Sequence, residues 1–150
     1  QIAFSHSPFK SVVDLIGRAA SDSVAALICH GVFDRHPALK VASVENGATW
    51  VAPLLRRLER AYGQMPQEFK RHPCDVLREH IWVAPFYEDD IVALRDLIPV
   101  ERILFGSDFP HAEGVAQPLD YLEEFGQFKP DEVEKVFSTN LKGLLEGTAH

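Results

Sequence analysis

The feature that most constrains the fold is a set of three short apolar runs, each ended by polar residues and separated from the next by a helical pattern. The runs are 40–46, 81–86 and 102–107. Short, almost wholly apolar runs are typical of strands buried on both faces. Their alternation with helices predicts parallel strands joined by right-handed crossovers. The sequence therefore predicts an α/β fold.

Helices are predicted around these runs from apolar spacing and from the prolines that start or stop them. Because no fixed-period repeat or low-complexity linker interrupts the order, residues 1–150 are predicted to form a single domain. The first predicted helix begins at Ser7-Pro8. The next helices cover 24–37, 49–64, 91–98 and 117–126, and a further short helix lies within 65–80. The last helix begins at Pro130.

The composition narrows the class of protein. The 150 residues are 46% hydrophobic, and 22 acidic against 15 basic residues give a net charge of −7. An acidic chain argues against nucleic acid as a partner, because phosphate binding requires a basic face. No apolar run approaches the roughly 20 residues of a membrane span, and no signal peptide is visible. We therefore expect a cytoplasmic protein without membrane contact, with Cys29 and Cys74 as reduced thiols.

Polar residues follow each of the three predicted strands. In parallel α/β folds the reactive groups lie beyond the carboxyl ends of the strands. These positions therefore hold the candidate functional residues. They are Glu45-Asn46 after the first strand, Tyr87-Glu88-Asp89 after the second, and Asp108 with His111 after the third.

Strand alternation bears on the first of these groups. It places Val41, Ser43 and Glu45 on one face, and Ala42 and Val44 on the other. Glu45 is then expected to point into the space that the strand ends enclose. The alternative, equally open, is a carboxylate that accepts backbone N–H bonds at the start of the next helix.

Three segments, 32–64, 81–90 and 103–114, make the chain similar to a known family. They contain FDRHPALK before a strand, a helix that carries a tryptophan, and GSDFPH after a strand. They resemble the amidohydrolase-related family of metal-dependent TIM-barrel hydrolases and decarboxylases, in the group of aminocarboxymuconate semialdehyde decarboxylase-like proteins. The resemblance implies barrel strands six to eight, and hence the C-terminal half of a (βα)8 barrel of ~250 residues.

The resemblance also implies roles for individual residues. Asp108 matches the strand-eight aspartate that binds a divalent metal, usually zinc, and exchanges a proton with the metal-bound water. Glu45 stands where the family has a histidine followed by Gly-Gly, so it is expected to act as a general base or an extra metal ligand. His111 and Tyr87 are candidates for substrate contact. Their alternatives are an exposed loop histidine and part of a helix-capping segment, and Asn140 resembles a structural position.

The family's remaining metal ligands are not found in the sequence. They are a His-x-His pair from strand one and a histidine from strand five, and none of the seven histidines here forms such a pair. We expect the full-length parent to hydrolyse or decarboxylate a small organic substrate with a metal. This chain alone is expected to bind divalent metal weakly or not at all. The alternative is a non-catalytic, truncated half-barrel that binds no metal and only associates with other chains.

Association is expected in either case. A half-barrel has two unpaired strand edges and open inner faces, on which we expect Val41 and Leu104 to lie exposed. Unpaired edges and open apolar surface favour contact with another chain. The sequence thus predicts a homo-oligomer, or a complex with the missing half-barrel, rather than a free monomer.

Overall fold

The computed structural model describes residues 15–107 and 117–148. Within these ranges, two strands alternate with helices in the order that the apolar runs predict. The π-helical turn Lys135–Thr139 joins the last two helices, and 3₁₀ helices span Pro66–Glu68, Val100–Arg102 and Pro118–Phe125. The strands and α-helices are α1 (Leu15–Cys29), α2 (Val32–Arg35), β1 (Val41–Ser43), α3 (Val51–Gln64), α4 (Pro73–His80), β2 (Ile81–Val83), α5 (Ile91–Leu97), α6 (Pro130–Glu134) and α7 (Asn140–Glu146).

The sheet of the described residues is parallel, as predicted. β1 pairs with β2 in a register that sets Val41 opposite Ile81 and Ser43 opposite Val83. The third run adds a single parallel bridge between Ile103 and Val83. The three apolar runs therefore lie side by side in chain order, which confirms the α/β fold class.

The strands are shorter than predicted. β1 ends at Ser43 instead of residue 46, because the backbone turns at Glu45, whose φ is 57°. The third run begins as a 3₁₀ helix, in which the N–H groups of Arg102 and Ile103 bond to the carbonyls of Pro99 and Val100. These N–H groups are satisfied locally, so they do not extend the parallel ladder.

The two faces of the sheet are covered differently. Ile81, Val83 and Ile103 belong to the main core, which they share with apolar side chains of α1, α3 and α4. The opposite face carries a smaller cluster that packs beneath Leu144 of α7 and consists of Trp82, Ala84 and Leu104.

The expectation that Val41 and Leu104 lie exposed on one inner face is therefore wrong. Val41 packs against the helix-covered core, and Leu104 is 2% exposed on the other face. Side-chain alternation is strict in a strand. Val41 and Ser43 therefore share the face that the helices cover, and this is the reverse of the face predicted for them.

The first predicted helix also differs. Residues 24–37 form two helices instead of one, because Gly31 adopts a left-handed conformation, with φ 62°, between α1 and α2. Ser21 lies inside α1, and its buried hydroxyl accepts a hydrogen bond from Arg57 Nη2 at 2.6 Å.

The C-terminal helices hold the third run in place. Asn140 is buried and its side-chain amide donates to the carbonyls of Val100 and Ile103, each at 2.8 Å. The N–H of Phe105 donates to the carbonyl of Val136 at 3.1 Å, within the π-helical turn. The predicted structural role of Asn140 is thus confirmed by its contacts.

Neither cysteine is in a disulfide: Cys29 is exposed and Cys74 is buried. Within 15–107 and 117–148, no helix combines the length and the apolar character that crossing a membrane requires.

Candidate functional site

The predicted site residues fall in two groups. Asp108 and His111 lie outside the residues that the structure describes, so their roles stay predictions. Glu45 and Tyr87 are described, and each follows a strand at its carboxyl end. The described part of the site therefore consists of the loops after β1 and β2.

Glu45 occupies an unusual backbone conformation. Its φ of 57° lies in the left-handed region, which costs a residue with a Cβ roughly 1–2 kcal/mol. The side chain is exposed, and its carboxylate forms no hydrogen bond with any residue in the described ranges. The turn is closed by Asn46, whose amide donates to the carbonyl of Val44 at 2.7 Å. Strand alternation thus does not set the direction of Glu45, because β1 has already ended.

Asp89 connects the two loops. Its Oδ2 accepts the backbone N–H of Ala48 at 2.7 Å and that of Phe86 at 2.8 Å. Hydrogen bonds to an ionised oxygen are stronger than those between neutral groups. Ala48 follows β1 and Phe86 follows β2, so this one carboxylate fixes the spacing between the ends of neighbouring strands.

Gly47 makes the close approach of the two loops possible. A Cβ at this position would lie 2.7 Å from Cδ2 of Phe86 and 3.1 Å from Oδ2 of Asp89. Its φ of 59° also favours glycine. The segment Glu45-Asn46-Gly47 is consequently held against the second loop by a contact that no larger residue allows.

The second loop caps α5, as expected for its acidic residues. Asp90 is the N-cap, and its Oδ1 accepts the N–H of Ala93 at 2.9 Å. A carboxylate at this position satisfies one of the free donors of the first turn. The capping interpretation of the segment is therefore confirmed for Asp90, while Asp89 bridges the loops.

Tyr87 lies at the surface of the same loop. It is 42% exposed, and its ring meets that of Tyr121 edge-on at 5.4 Å. Tyr121 is buried and donates its hydroxyl to the carbonyl of Phe86 at 2.9 Å; burial raises its pKa, so it stays protonated. Tyr87 borders an open depression of 710 Å³ whose lining is acidic, from Glu88, Asp89, Asp90, Asp96 and Glu124.

The described strand ends do not by themselves make a metal centre. A catalytic zinc generally takes three protein ligands. Oδ2 of Asp89 and Oδ1 of Asp90 already accept backbone hydrogen bonds, and no group of three metal-ligating side chains is found among the described residues of this edge. Among the described residues, the one group of three metal-ligating side chains is Glu59, His72 and Cys74, which belong to the helical layer.

Sequence reasoning missed the role of Asp89. Its bond to Phe86, three residues earlier, is local and closes the same turn in which the N–H of Asp89 donates to the carbonyl of Phe86. Its bond to Ala48 spans 41 positions of the chain and has no local signal. The bridge between the loops is therefore visible only once the strands are paired.

Comparison with known proteins defines the class. A family model described as amidohydrolase matches residues 11–141. The fold is also similar to the crystal structure of an amidohydrolase from Mycobacterium avium subsp. paratuberculosis K-10, with a TM-score of 0.88 and 42% sequence identity. That match covers 94% of this chain and 36% of the mycobacterial chain.

The parallel α/β fold with polar loops at its strand ends is thus of the type found in TIM-barrel hydrolases. Within that class, the chain belongs to the amidohydrolase family. It spans 36% of the length of the mycobacterial relative.

Proposed function

We propose that this chain forms strands six to eight of a metal-dependent amidohydrolase barrel and contributes the carboxylates of Asp108 and Glu45 to its active site. Family membership supports the hydrolase class. The chain order of β1, β2 and the bridge at Ile103 supports the strand assignment. The face that carries Trp82 and Leu104, opposite the main helical core, would then point toward the barrel axis.

The observation that carries this proposal is the exposure of the Glu45 side chain together with its left-handed backbone conformation. Its carboxylate is exposed at the end of β1, has no hydrogen bond among the described residues, and sits on a backbone in the left-handed region. Residues in costly conformations cluster at functional sites. A carboxylate that capped the next helix or bridged the loops would accept backbone hydrogen bonds, as those of Asp89 and Asp90 do.

The metal is proposed to be zinc, held by Asp108 together with ligands from the remaining strands. When bound, such a metal polarises substrate oxygens and makes water nucleophilic at neutral pH. Asp108 would take up and return the proton at the reacting centre, and Glu45 would act as a second base or an additional ligand. The described residues do not supply the complete ligand set.

The reaction class is proposed as hydrolysis or non-oxidative decarboxylation of a small organic molecule. The proposal of decarboxylation is supported by the resemblance to the aminocarboxymuconate semialdehyde decarboxylase-like group. His111 and Tyr87 are proposed to contact the substrate. Tyr87 has the required exposure, at 42%, next to an open depression.

The test uses the natural full-length protein that contains this chain, loaded with zinc. Turnover is measured on a panel of small amides, lactones and aromatic carboxylic acids. Asp108→Asn should lower kcat by about 10²–10⁴, because the amide cannot carry the proton, and Glu45→Gln should also lower it.

Asp120→Asn, at an exposed position on the 3₁₀ helix, is the matched control and should leave kcat unchanged. Near-normal turnover by Asp108→Asn with metal bound would show that Asp108 is not the proton carrier. Unchanged turnover by Glu45→Gln would return Glu45 to a structural role. Absence of turnover by the wild-type protein on every substrate would favour the non-catalytic alternative.

A further inference from the structure

Three chemically different metal-ligating side chains meet where α3 packs against the start of α4. Glu59 lies on α3, His72 is the N-cap of α4, and Cys74 lies in the first turn of α4. Their ligand atoms are all within 4.8 Å of one another. The distances are 3.5 Å from Nε2 of His72 to Oε2 of Glu59 and 3.6 Å from Sγ of Cys74 to the same oxygen.

These distances fit one tetrahedral ion. Zinc bonds of ~2.0–2.1 Å to nitrogen and oxygen and ~2.3 Å to sulfur place nitrogen about 3.4 Å and sulfur about 3.6 Å from the oxygen ligand. The two observed separations from Oε2 of Glu59 match these values. The carboxylate oxygen of Glu59 is therefore already spaced from the other two ligand atoms as in a single zinc site, and all three atoms lie within 4.8 Å of one another.

The donor set favours zinc over magnesium and calcium. Thiolate and imidazole ligands suit zinc, whereas magnesium and calcium take oxygen ligands. Cys74 is 3% exposed, His72 is partly buried, and Glu59 is exposed. An ion could thus enter from solvent on the side of Glu59, where water would complete its coordination.

A purely structural explanation covers part of the arrangement. Nδ1 of His72 accepts the N–H of Cys74 at 3.3 Å and so caps α4, and the thiol of Cys74 donates to the carbonyl of Leu55 at 3.5 Å. Both contacts are long. The same thiol also lies 3.6 Å from Oε2 of Glu59, and Nε2 of His72 lies 3.5 Å from that oxygen, so weak polar contacts to the carboxylate are the alternative to a shared ion. Zinc binding through Nε2 would move the ring proton to Nδ1, and the weak capping bond would be exchanged for a metal bond.

We propose that Glu59, His72 and Cys74 form a zinc site in the helical layer, distinct from the carboxylates at the strand ends. On binding, the thiol proton of Cys74 is released to solvent and the thiolate becomes a ligand. The ion would tie α3 to the first turn of α4. Because α4 leads directly into β2, this bond would brace the helix that positions the central described strand.

Cobalt(II) is the probe, added to the complete 150-residue chain under reducing conditions. A thiolate ligand gives cobalt an intense ultraviolet charge-transfer band, and zinc should displace the cobalt and remove the band. Cys74→Ser should abolish the band. Glu59→Gln should weaken zinc binding by at least about tenfold, since loss of an outer-shell partner alone costs about that much.

His72→Asn separates ligation from capping. Asparagine is a good N-cap residue, so this variant keeps α4 capped while it removes the imidazole. It should melt at the wild-type temperature without metal, yet lose the stabilisation that zinc gives to the wild type.

Two controls address other sites. Cys29→Ser removes the exposed thiol and should keep the band. Asp108→Asn should also keep it, because the strand-end site contains no sulfur.

Absence of a charge-transfer band in the wild type, or a band that survives Cys74→Ser and disappears in Cys29→Ser, would overturn the proposal. If Cys74→Ser does not fold, unchanged zinc affinity in both His72→Asn and Glu59→Gln would overturn it instead. None of these outcomes depends on turnover, so they do not bear on the function proposed for Asp108.

Discussion

At the scale of single residues, the segment Glu45-Asn46-Gly47 combines conformational cost with close packing. Two of its three residues have positive φ, and Gly47 lies against Phe86 without room for a Cβ. Asp89 fixes the neighbouring backbone through two hydrogen bonds. The position of Glu45 is thus determined by its surroundings, although its own carboxylate adds no hydrogen bond among the described residues.

Glu45→Gly should stabilise the chain by up to about 1 kcal/mol, because glycine adopts the left-handed conformation without the Cβ penalty. Glu45→Gln keeps the penalty and should leave the free energy of unfolding unchanged. Urea denaturation, with the midpoint compared at constant slope, measures both variants. A clear loss of stability in Glu45→Gly would mean that the side chain makes a stabilising contact.

Gly47→Ala and Gly63→Ala should have opposite effects. At position 47 a Cβ would lie 2.7 Å from a carbon of Phe86, so we expect a loss of about 2 kcal/mol or more. Gly63 lies on α3 with nothing within 4 Å, and alanine there should add up to about 1 kcal/mol of helix propensity. Thermal and urea unfolding of the pair test this; equal effects would contradict the close contact at Gly47.

At the scale of elements, the third apolar run depends on the C-terminal helices. Asn140 holds the carbonyls of Val100 and Ile103, and Val136 accepts the N–H of Phe105. Lys135 of the π-helical turn adds an ion pair, with its Nζ 2.8 Å from Oε1 of Glu101. These contacts set the direction of the segment that leads toward Asp108.

The pair of Lys135 and Glu101 predicts a pH dependence. The hydrogen bond from Lys135 lowers the pKa of Glu101 below that of an unfolded glutamate. The resulting stability is present above the unfolded pKa and is lost as the pH falls through the lowered, folded pKa.

Lys135→Met should therefore raise the pKa of Glu101 and reduce the loss of stability in acid. NMR titration of the Glu101 carboxyl and unfolding at neutral and acidic pH measure the two effects. The effect on stability should be small, because both side chains are more than a third exposed. Lys142→Met, an exposed lysine of α7, is the control, and an equal shift of the Glu101 pKa in both variants would exclude the pair as its cause.

At the scale of the whole molecule, one face of the sheet is incompletely covered. Leu144 packs on Trp82 and Leu104, but Ala42 on the same face is exposed, and Val44, just after β1, is 56% exposed. In the described residues, β1 pairs only with β2. Exposed apolar surface next to a strand edge favours association.

We therefore expect the chain to associate, either with a second copy or with the rest of its barrel. Light scattering on a size-exclusion column should give a mass above the 16.8 kDa of one chain. Val44→Lys should shift the population toward monomer, because a charge on that surface opposes its burial. Leu119→Lys is the control, because Leu119 is an exposed apolar residue on the 3₁₀ helix, away from this face of the sheet. A monodisperse 16.8 kDa species at high concentration would refute association.

The sequence alone determined the order of the helices and strands and the α/β class, because apolar spacing and proline determine local structure within a few residues of their own positions. It also determined the caps, such as Asp90, whose partner is three residues away. The apolar run at 40–46 also predicted that Glu45 follows a strand, and β1 ends at Ser43, two residues before it.

Only the tertiary structure decided which face of β1 the helices cover, where β1 ends, and what holds its loop. The pairing of Asp89 with Ala48 and of Asn140 with Ile103 joins residues about 40 positions apart, and nothing in either local sequence indicates the partner. The meeting of Glu59 with Cys74 likewise depends on how α3 packs against α4. Such contacts exist only after the helices close on the sheet, because their geometry is set by packing between distant elements.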